Sequence, residues 1–589
     1  MKKTRILLSC GLTGCGIVAC SLLQAQTAAP NMVLILADDQ GWGDLSMNGN
    51  LSVSTPHIDR IGREGAAFTN FYVCPVSSPT RAELLTGRYA ARSGVRDVSE
   101  GGERMNPDEM TLADYLKQGG YATAAFGKWH NGTQYPYHPN ARGFDEFYGF
   151  CSGHWGNYWN PLLERNGEIV YGDGFIIDDL TTHAIEYIRQ HREQPFFVYL
   201  PYNTPHSPMQ VPDIWWDLVE DREIRQRATD PEKEDLAFTR AALALTENID
   251  WNVGRVMQTL EELGLDEHTI ILYLTDNGPN SDRWNGGMKG RKGSTDEGGV
   301  RSPLLVRWPE KIPPGRIINQ LSGTVDLLPT LTELAGLSPD YFHPLDGISL
   351  VPALSGETEE TDRTLVSTWN DRISVRQGKW LFSADRQLFD LSTDREQTVD
   401  VSALHPGLVL QMQEKVDWYR EEVLGSLPEK DLRPFVVGHP DEHFSKLPAR
   451  DGTPSGEIRR SNRYPNCSYF THWKSPADQI IWPVAVEQEG LFEAIIYYNC
   501  AATDVGALIS LKAGKEELLS RLTQSNDTPM TGAELDRVPR TESYMKGFAP
   551  FSLGTIRLDR ELRELTLQAV DIPGEQVMDL FLLVLKRVN

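Results

Sequence analysis

Cysteine is scarce in this chain of 589 residues: there are 7, and three of them, Cys10, Cys15 and Cys20, lie near the N-terminus. The other four, Cys74, Cys151, Cys467 and Cys500, are scattered. That is too few for a disulfide scaffold, and the spacing matches no zinc pattern. Cys467 and Cys500 remain candidates for a single pair in an exported protein. Basic residues are also in deficit, with 57 Lys and Arg against 82 Asp and Glu and a formal charge of −25. So acidic a body excludes nucleic acid as the expected partner, because neutralising phosphates takes a basic surface. Beyond the N-terminus no apolar run is long enough to cross a bilayer. Internal repeats and low-complexity tracts are missing, which excludes solenoids and fibres. The apolar share of 40% and charged share of 24% are those of a globular protein. The length suggests about four domains, or one large domain with attachments.

The first 25 residues read as a secretory leader. Lys2, Lys3 and Arg5 precede an apolar stretch from Ile6 to about Leu23, then Gln24-Ala25-Gln26. Export machinery is therefore an expected partner. Its removal would make the net charge three units more negative. Ile17-Val18-Ala19-Cys20 resembles a lipoprotein box, so two destinations stay open: the periplasm, or a lipid anchor at the outer membrane or cell surface.

Residues 31–362 alternate β and α patterns. Short apolar strands are expected at Met32–Leu36, Tyr121–Phe126, Phe196–Leu200 and Thr269–Leu274, and helices at Pro56–Phe68 and Thr111–Lys117. Leu245, Ile249, Val253, Val256, Leu260 and Leu263 step by three or four along a longer helix that Gly264 ends. Such alternation implies an α/β domain with a large, mostly parallel sheet covered on both faces. Residues 363–425 read as a small antiparallel sheet plus one helix. Residues 426–462, rich in Pro, Gly and charge, read as a linker. Residues 463–589 read as a β-sandwich.

In an open parallel sheet, ligands bind beyond the carboxyl ends of the strands. Asp38 and Asp39 follow the first expected strand. Lys128 and His130 follow the second, Asn203 and His206 the third, and Asp276 and Asn277 the fourth. Four such ends favour one shared site. Asp38, Asp39, Asp276 and Asn277 offer the oxygen donors that Ca²⁺ or Mg²⁺ prefers. Taken alone, Asp276-Asn277-Gly278 would be a plain turn.

One segment carries more. Ser77-Ser78-Pro79-Thr80-Arg81 followed by Leu85-Thr86-Gly87-Arg88 resembles the signature of the formylglycine-dependent sulfatases of the alkaline phosphatase superfamily. Cys74 does not fit it, because Val76 stands where the motif needs Pro. Residues 31–423 share further family patterns, among them Gly127-Lys128-Trp129-His130, Pro205-His206 and Gly290-Arg291-Lys292-Gly293-Ser294-Thr295.

The resemblance implies an alkaline-phosphatase-like fold and a formylglycine (3-oxoalanine) made from Ser77. A Ser-type motif implies an anaerobic, radical-type maturing enzyme as partner. The hydrated aldehyde would attack sulfur and then release sulfate by collapsing back to the aldehyde, so no water need attack sulfur. Ca²⁺, or Mg²⁺, would be held by Asp38, Asp39, Asp276, Asn277 and modified Ser77. Arg81 would contact the diol and the metal carboxylates, and Lys128 and Lys292 would hold sulfate oxygens. His206 is the expected acid for the leaving alcohol and His130 the expected base. Ser152 and His154 are further candidate sulfate contacts, and Trp155 and Trp159 are either sugar platforms or core.

The expected function is an exported sulfatase acting on carbohydrate sulfate esters, with galactose or N-acetylgalactosamine sulfate favoured. The alternatives are a phosphate or phosphonate monoesterase of the same superfamily and a non-catalytic glycan-binding protein. The acidic body does not exclude an anionic substrate, since a sulfate meets local charge. It disfavours broad capture of highly sulfated polymers and points to an exo-acting enzyme on oligosaccharide ends.

Overall fold

The computed structural model describes residues 29–357, 362–428 and 430–588. The expected leader, 1–25, lies outside them. Within the described residues no helix is long and apolar enough to cross a membrane.

Strand Asn31–Ala37 sits near the middle of an eleven-stranded sheet, between Thr269–Thr275 and Phe196–Pro201 and parallel to both. Ala122–Lys128 continues the parallel run beside Phe196–Pro201. All four strands are buried along their whole length. That is why they read as unbroken apolar runs and not as alternation. Successive side chains still go to opposite faces. Val33 and Ile35 join a core with Leu245, Ile249, Val253 and Val256 of helix Leu236–Glu262. Met32, Leu34 and Leu36 join another with Ala82, Leu84 and Leu85 of helix Ser77–Thr86. Helices therefore clamp the sheet from both sides, and the strand ends that carry polar residues open at one edge.

The helix expected over 56–68 stops at Arg63, and Ala66–Tyr72 is a strand paired with Arg301–Arg307. Gly65 explains the break. A Cβ there would sit 2.1 Å from the carbonyl oxygen of Val306, so only glycine lets the chain turn in against that strand.

Four antiparallel strands, Thr364–Trp369, Arg372–Gln377, Trp380–Phe382 and Leu388–Asp390, form the small sheet, with helix Pro406–Tyr419 packed on it through Met412, Val416 and Tyr419. This unit braces the loop that carries Lys292. Arg376 pairs with buried Glu297 at 2.9 Å, and the Ser374 hydroxyl donates to the Thr295 carbonyl at 2.9 Å.

Two six-stranded sheets follow. The stretch expected as a linker, 426–462, contributes to them. Phe435–Val437 pairs with Gln479–Val486, and Phe444–Pro448 pairs with Asp579–Arg587. Short strands interrupted by Pro and charge carry no clear period, so the sequence hid them. The sandwich has its own core around Trp473, Trp482, Ile496 and Leu567. Its Tyr469, Phe548, Phe581 and Leu582 belong instead to the core of the first domain, beside Phe150 and Trp155. The two units share apolar packing and are not beads on a tether.

All four described cysteines are free thiols, which corrects the expected candidate pair. Cys467 points toward the first domain, where its thiol donates to the His154 carbonyl at 2.7 Å. Cys500 is buried in the sandwich core.

Glu442 joins the units through Tyr135, whose N–H it accepts at 3.3 Å, and it accepts the Ser445 hydroxyl at 2.9 Å. Burial pushes its carboxyl up to about 8. A carboxyl raised in the fold holds a proton the unfolded chain has lost, so stability falls as pH rises from about 4.5 to about 8. Glu442→Gln keeps one acceptor oxygen for the Tyr135 N–H, offers an N–H to the Ser445 hydroxyl, and removes that loss. Its melting temperature should exceed that of the parent at pH 8.5, by roughly 2–4 °C per kcal/mol recovered, and should match it at pH 4.5. Equal melting at both pH values would refute the assignment.

Candidate active site

Ser77 is the first residue of helix Ser77–Thr86 and is buried. Its Oγ lies 3.1 Å from Asp38 Oδ1 and 3.2 Å from Asn277 Oδ1, with one proton for two acceptors. Thr80, one turn on, donates its hydroxyl to the Asp276 carbonyl at 2.6 Å and so locks the helix to the strand end behind it. The N-terminus of this helix therefore opens onto the carboxylates, where its N–H dipoles favour negative charge.

Three carboxylates meet three cations here. Lys128 Nζ is 2.7 Å from Asp38 Oδ2. Arg81 reaches Asp276 Oδ2 at 2.9 Å and donates to the Lys128 carbonyl at 2.8 Å. Lys292 Nζ is 2.6 Å from Asp39 Oδ1. The backbone places these groups. Gly127 stands at φ +141, where a Cβ would meet the Pro201 oxygen at 2.0 Å, so only glycine lets Lys128 leave its strand this way. Asp39 itself is left-handed at φ 64. Arg283, which the sequence did not single out, donates to the Asp39 carbonyl at 2.9 Å while gripping Asp44 at 2.7 Å. The Lys292 loop hangs from the Pro279 and Pro75 carbonyls through the N–H groups of Lys292 and Gly293, at 3.1 and 2.8 Å.

Burial would push the Asp38 carboxyl up, but Lys128, His206 and Arg81 outweigh it and hold it at about 2. Burial acts likewise on Asp39, and Lys292 wins. Asp276 goes the other way: burial and then Asp38 push it above the usual range, despite Arg81. One carboxylate is thus left poorly compensated.

The donors fit a hard divalent cation. Carboxylate oxygens of Asp38, Asp39 and Asp276 lie within 4.8 Å of one another. Asp39 Oδ2 is buried and accepts no hydrogen bond among the described residues. Asn277 adds an amide oxygen beside Ser77. Such oxygen-only sets suit Ca²⁺ or Mg²⁺.

The histidines stand around this cluster. His206 Nε2 is 3.5 Å from Asp39 Oδ2, and its Nδ1–H donates to the Ser207 carbonyl at 2.6 Å. His130 donates from Nε2 to the Val98 carbonyl at 2.8 Å, which leaves Nδ1 buried with a lone pair that no group among the described residues uses. Burial, and then Lys128, push the His130 imidazole well below its usual range, so it is neutral. That tautomer and charge suit a base. His154 stacks on His206 with ring centroids 5.6 Å apart.

All the sequence-predicted residues Asp38, Asp39, Ser77, Arg81, Lys128, His130, His206, Asp276, Asn277 and Lys292 therefore converge. Of the four further candidates, His154 lines the cleft above the cluster. Ser152 turns to Asn466 at 3.2 Å. Trp155 stacks on Phe150 in the core, and the half-buried Trp159 packs against Phe175 at its edge.

Asn466, from the C-terminal sandwich, gave no signal in the sequence. Its Nδ2 donates to the Val98 carbonyl at 3.1 Å, the same oxygen that holds His130. Its Oδ1 accepts from Ser152 and from Gly153 N–H, each at 3.2 Å. Asn466→Ala frees His130 to shift and leaves the Gly153 N–H unpaired. The expected result is a kcat on a soluble aryl sulfate lower by roughly tenfold, with KM little changed, and a stability loss of about 1–3 kcal/mol. A variant with parental kcat would show that Asn466 does not position His130.

A family model described as "Sulfatase" matches residues 30–337. An N-acetylgalactosamine-6-sulfatase of Canis lupus familiaris is 34% identical over 372 residues, 57% of this chain and 68% of that protein. A steryl-sulfatase of Mus musculus is 30% identical over 432 residues, 56% of this chain and 66% of that protein. The chain thus spans about two thirds of the length of these curated relatives. The crystal structure of Ps i-CgsB in complex with k-i-k-neocarrahexaose superposes with a TM-score of 0.62 at 29% identity, covering 68% of this chain and 94% of that one.

Proposed function

The chain belongs to the sulfatase family of sulfuric ester hydrolases, and on that premise we propose that it is an exported, formylglycine-dependent sulfatase that removes sulfate from galactose or N-acetylgalactosamine residues at oligosaccharide ends. The observation that carries the chemistry is the setting of Ser77 Oγ, 3.1 Å from Asp38 and 3.2 Å from Asn277 within a buried cluster of three carboxylates and three cations. The sugar preference rests on the names of two similar proteins, one an N-acetylgalactosamine-6-sulfatase and one solved with a neocarrahexaose. Export rests on the leader pattern, and ends either in the periplasm or at a lipid anchor.

Asp38, Asp39, Asp276, Asn277 and residue 77 would hold Ca²⁺ or Mg²⁺, which when bound neutralises charge and acidifies the nucleophile. A formylglycine at position 77, made by a radical-type maturing enzyme, would supply geminal hydroxyls as nucleophile and as release group. The side chains then divide the remaining work. By formal count the three carboxylates and three cations cancel, so an added dication would both relieve Asp276 and leave a positive surplus for a sulfate ester. Lys128 and Lys292, fixed on Asp38 and Asp39, hold sulfate oxygens as charge develops. His206, at the cleft floor with Nδ1–H bound to a carbonyl, would act as the imidazolium, giving its Nε2 proton to the leaving alcohol. His130 Nδ1 takes the proton from the hydroxyl at residue 77.

The test is the full chain co-expressed with a radical-type maturing enzyme. Intact mass should show residue 77 two hydrogens lighter than serine. Defined galactose and N-acetylgalactosamine sulfates should then release sulfate. Retained phosphatase activity without arylsulfate hydrolysis would favour the monoesterase alternative. Turnover by protein carrying an unmodified Ser77 would overturn the mechanism.

A further inference from the structure

The cleft over the cluster is about 460 Å³, the size of a small-ligand pocket. Its two walls come from different domains. His154, His206 and Lys292 line one side, and Tyr464, Asn466 and Glu542 of the C-terminal sandwich line the other. The family match ends at residue 337, so the second wall lies outside it.

That wall is fixed in place. Asn466 makes three hydrogen bonds to two segments of the first domain, Val98 and Ser152-Gly153. The Ser207 hydroxyl, next to His206, donates to Glu542 Oε1. Arg540 is buried, held by Asp536 at 2.6 Å, and donates to the Gly156 carbonyl. Val538 packs into the core of the first domain. A wall so pre-formed loses little entropy on binding.

Two of its side chains keep capacity for a ligand. Among the described residues Glu542 Oε2 accepts only the Thr541 N–H, at 3.2 Å, and each carboxylate oxygen retains a further lone pair. Tyr464 is 40% exposed, its ring backed by the Arg463 guanidinium 4.6 Å from the centroid. An acceptor beside an aromatic ring is what a pyranose needs, with hydroxyls on its edge and C–H groups on its face.

We propose that the C-terminal sandwich completes the active site as its sugar-recognition wall, with Glu542 accepting hydroxyls of the sulfated ring and Tyr464 carrying the face of the neighbouring ring. This rests on the sulfatase reading above. It also narrows the substrate class. A carboxylate on the wall repels a second sulfate, so the fitting ligand is singly sulfated, with free hydroxyls and at least two rings.

The test is calorimetric titration of the full chain in a Ser77→Ala background, which binds without turnover whatever its maturation. The probes are singly and doubly sulfated disaccharides of galactose and N-acetylgalactosamine. The parent should bind a singly sulfated disaccharide. Adding Tyr464→Ala should weaken that binding by tenfold or more, and Tyr464→Phe should restore it. Adding Glu542→Gln should weaken it by about tenfold while improving the relative affinity for the doubly sulfated probe. Parental affinities in Tyr464→Ala or Glu542→Gln, or a parent that binds none of the sugars, would overturn the wall. A matured wild-type protein that binds these sugars but releases no sulfate would overturn the sulfatase reading alone.

Discussion

Alanine at position 77 should lower kcat/KM for any sulfate ester by roughly 10⁴–10⁶-fold, the range seen when a covalent nucleophile is removed. The fold should survive. Ser77 Oγ contacts only Asp38 and Asn277 among the described residues, and losing a typical hydrogen bond costs about 0.5–1.5 kcal/mol. The melting temperature should therefore move little while activity disappears, and the two readouts together separate a lost nucleophile from a damaged core. The same reasoning predicts that wild-type protein made without a maturing enzyme is folded and inactive. Ser77→Cys should gain activity with a thiol-directed maturing enzyme, which the serine form cannot use. A Ser77→Ala protein with wild-type turnover would end the proposed mechanism.

The residues of this cluster were legible because each sits at a strand end or in a compact motif. Asp38-Asp39 and Asp276-Asn277 follow apolar runs that are buried along their whole length. Periodicity located those runs, and the parallel sheet then fixed a common edge. Where local signals stop, so did the reading. Gly65 ends a helix because of Val306, which is remote in sequence and adjacent only in the fold. Arg283 positions Asp39 from 244 residues away. Asn466 and Glu542 reach the site across separations of 313 and 335 residues. The strands at 435–437 and 444–448 are short and interrupted by charge, so only their partners define them. Strand ends and motif thus located the residues that meet at the cleft floor. The second wall of the cleft is a product of domain packing, and no local pattern encodes which loop faces which domain.

Metal removal should have the second-largest effect, and it should invert the stability order of wild type and Asp276→Asn. Asp38, Asp39 and Asp276 place carboxylate oxygens within 4.8 Å of one another. Arg81, Lys128 and Lys292 pair with them, yet burial and Asp38 still push Asp276 above the usual carboxylate range. At pH 7–8 in a chelator, wild type should therefore carry an uncompensated charge penalty, because a carboxyl raised in the fold loses stability as pH climbs from its unfolded value toward its folded one. Asp276→Asn has no such charge. In chelator it should melt at or above the wild-type temperature. Added Ca²⁺ should raise the wild-type melting temperature, with about 2.7 kcal/mol gained at a hundred times Kd. The variant, short of one ligand and one charge, should gain much less, so the order of stability inverts. Activity should follow the metal. Chelated wild type should lose at least ~10²-fold in kcat/KM and recover with Ca²⁺, because Lewis-acid charge stabilisation is worth several kcal/mol. The variant should stay inactive in both conditions. Identical Ca²⁺-induced shifts in the two proteins would mean that Asp276 is not a ligand. A wild type indifferent to both chelator and Ca²⁺ would mean that this cluster balances its charge with Arg81, Lys128 and Lys292 alone.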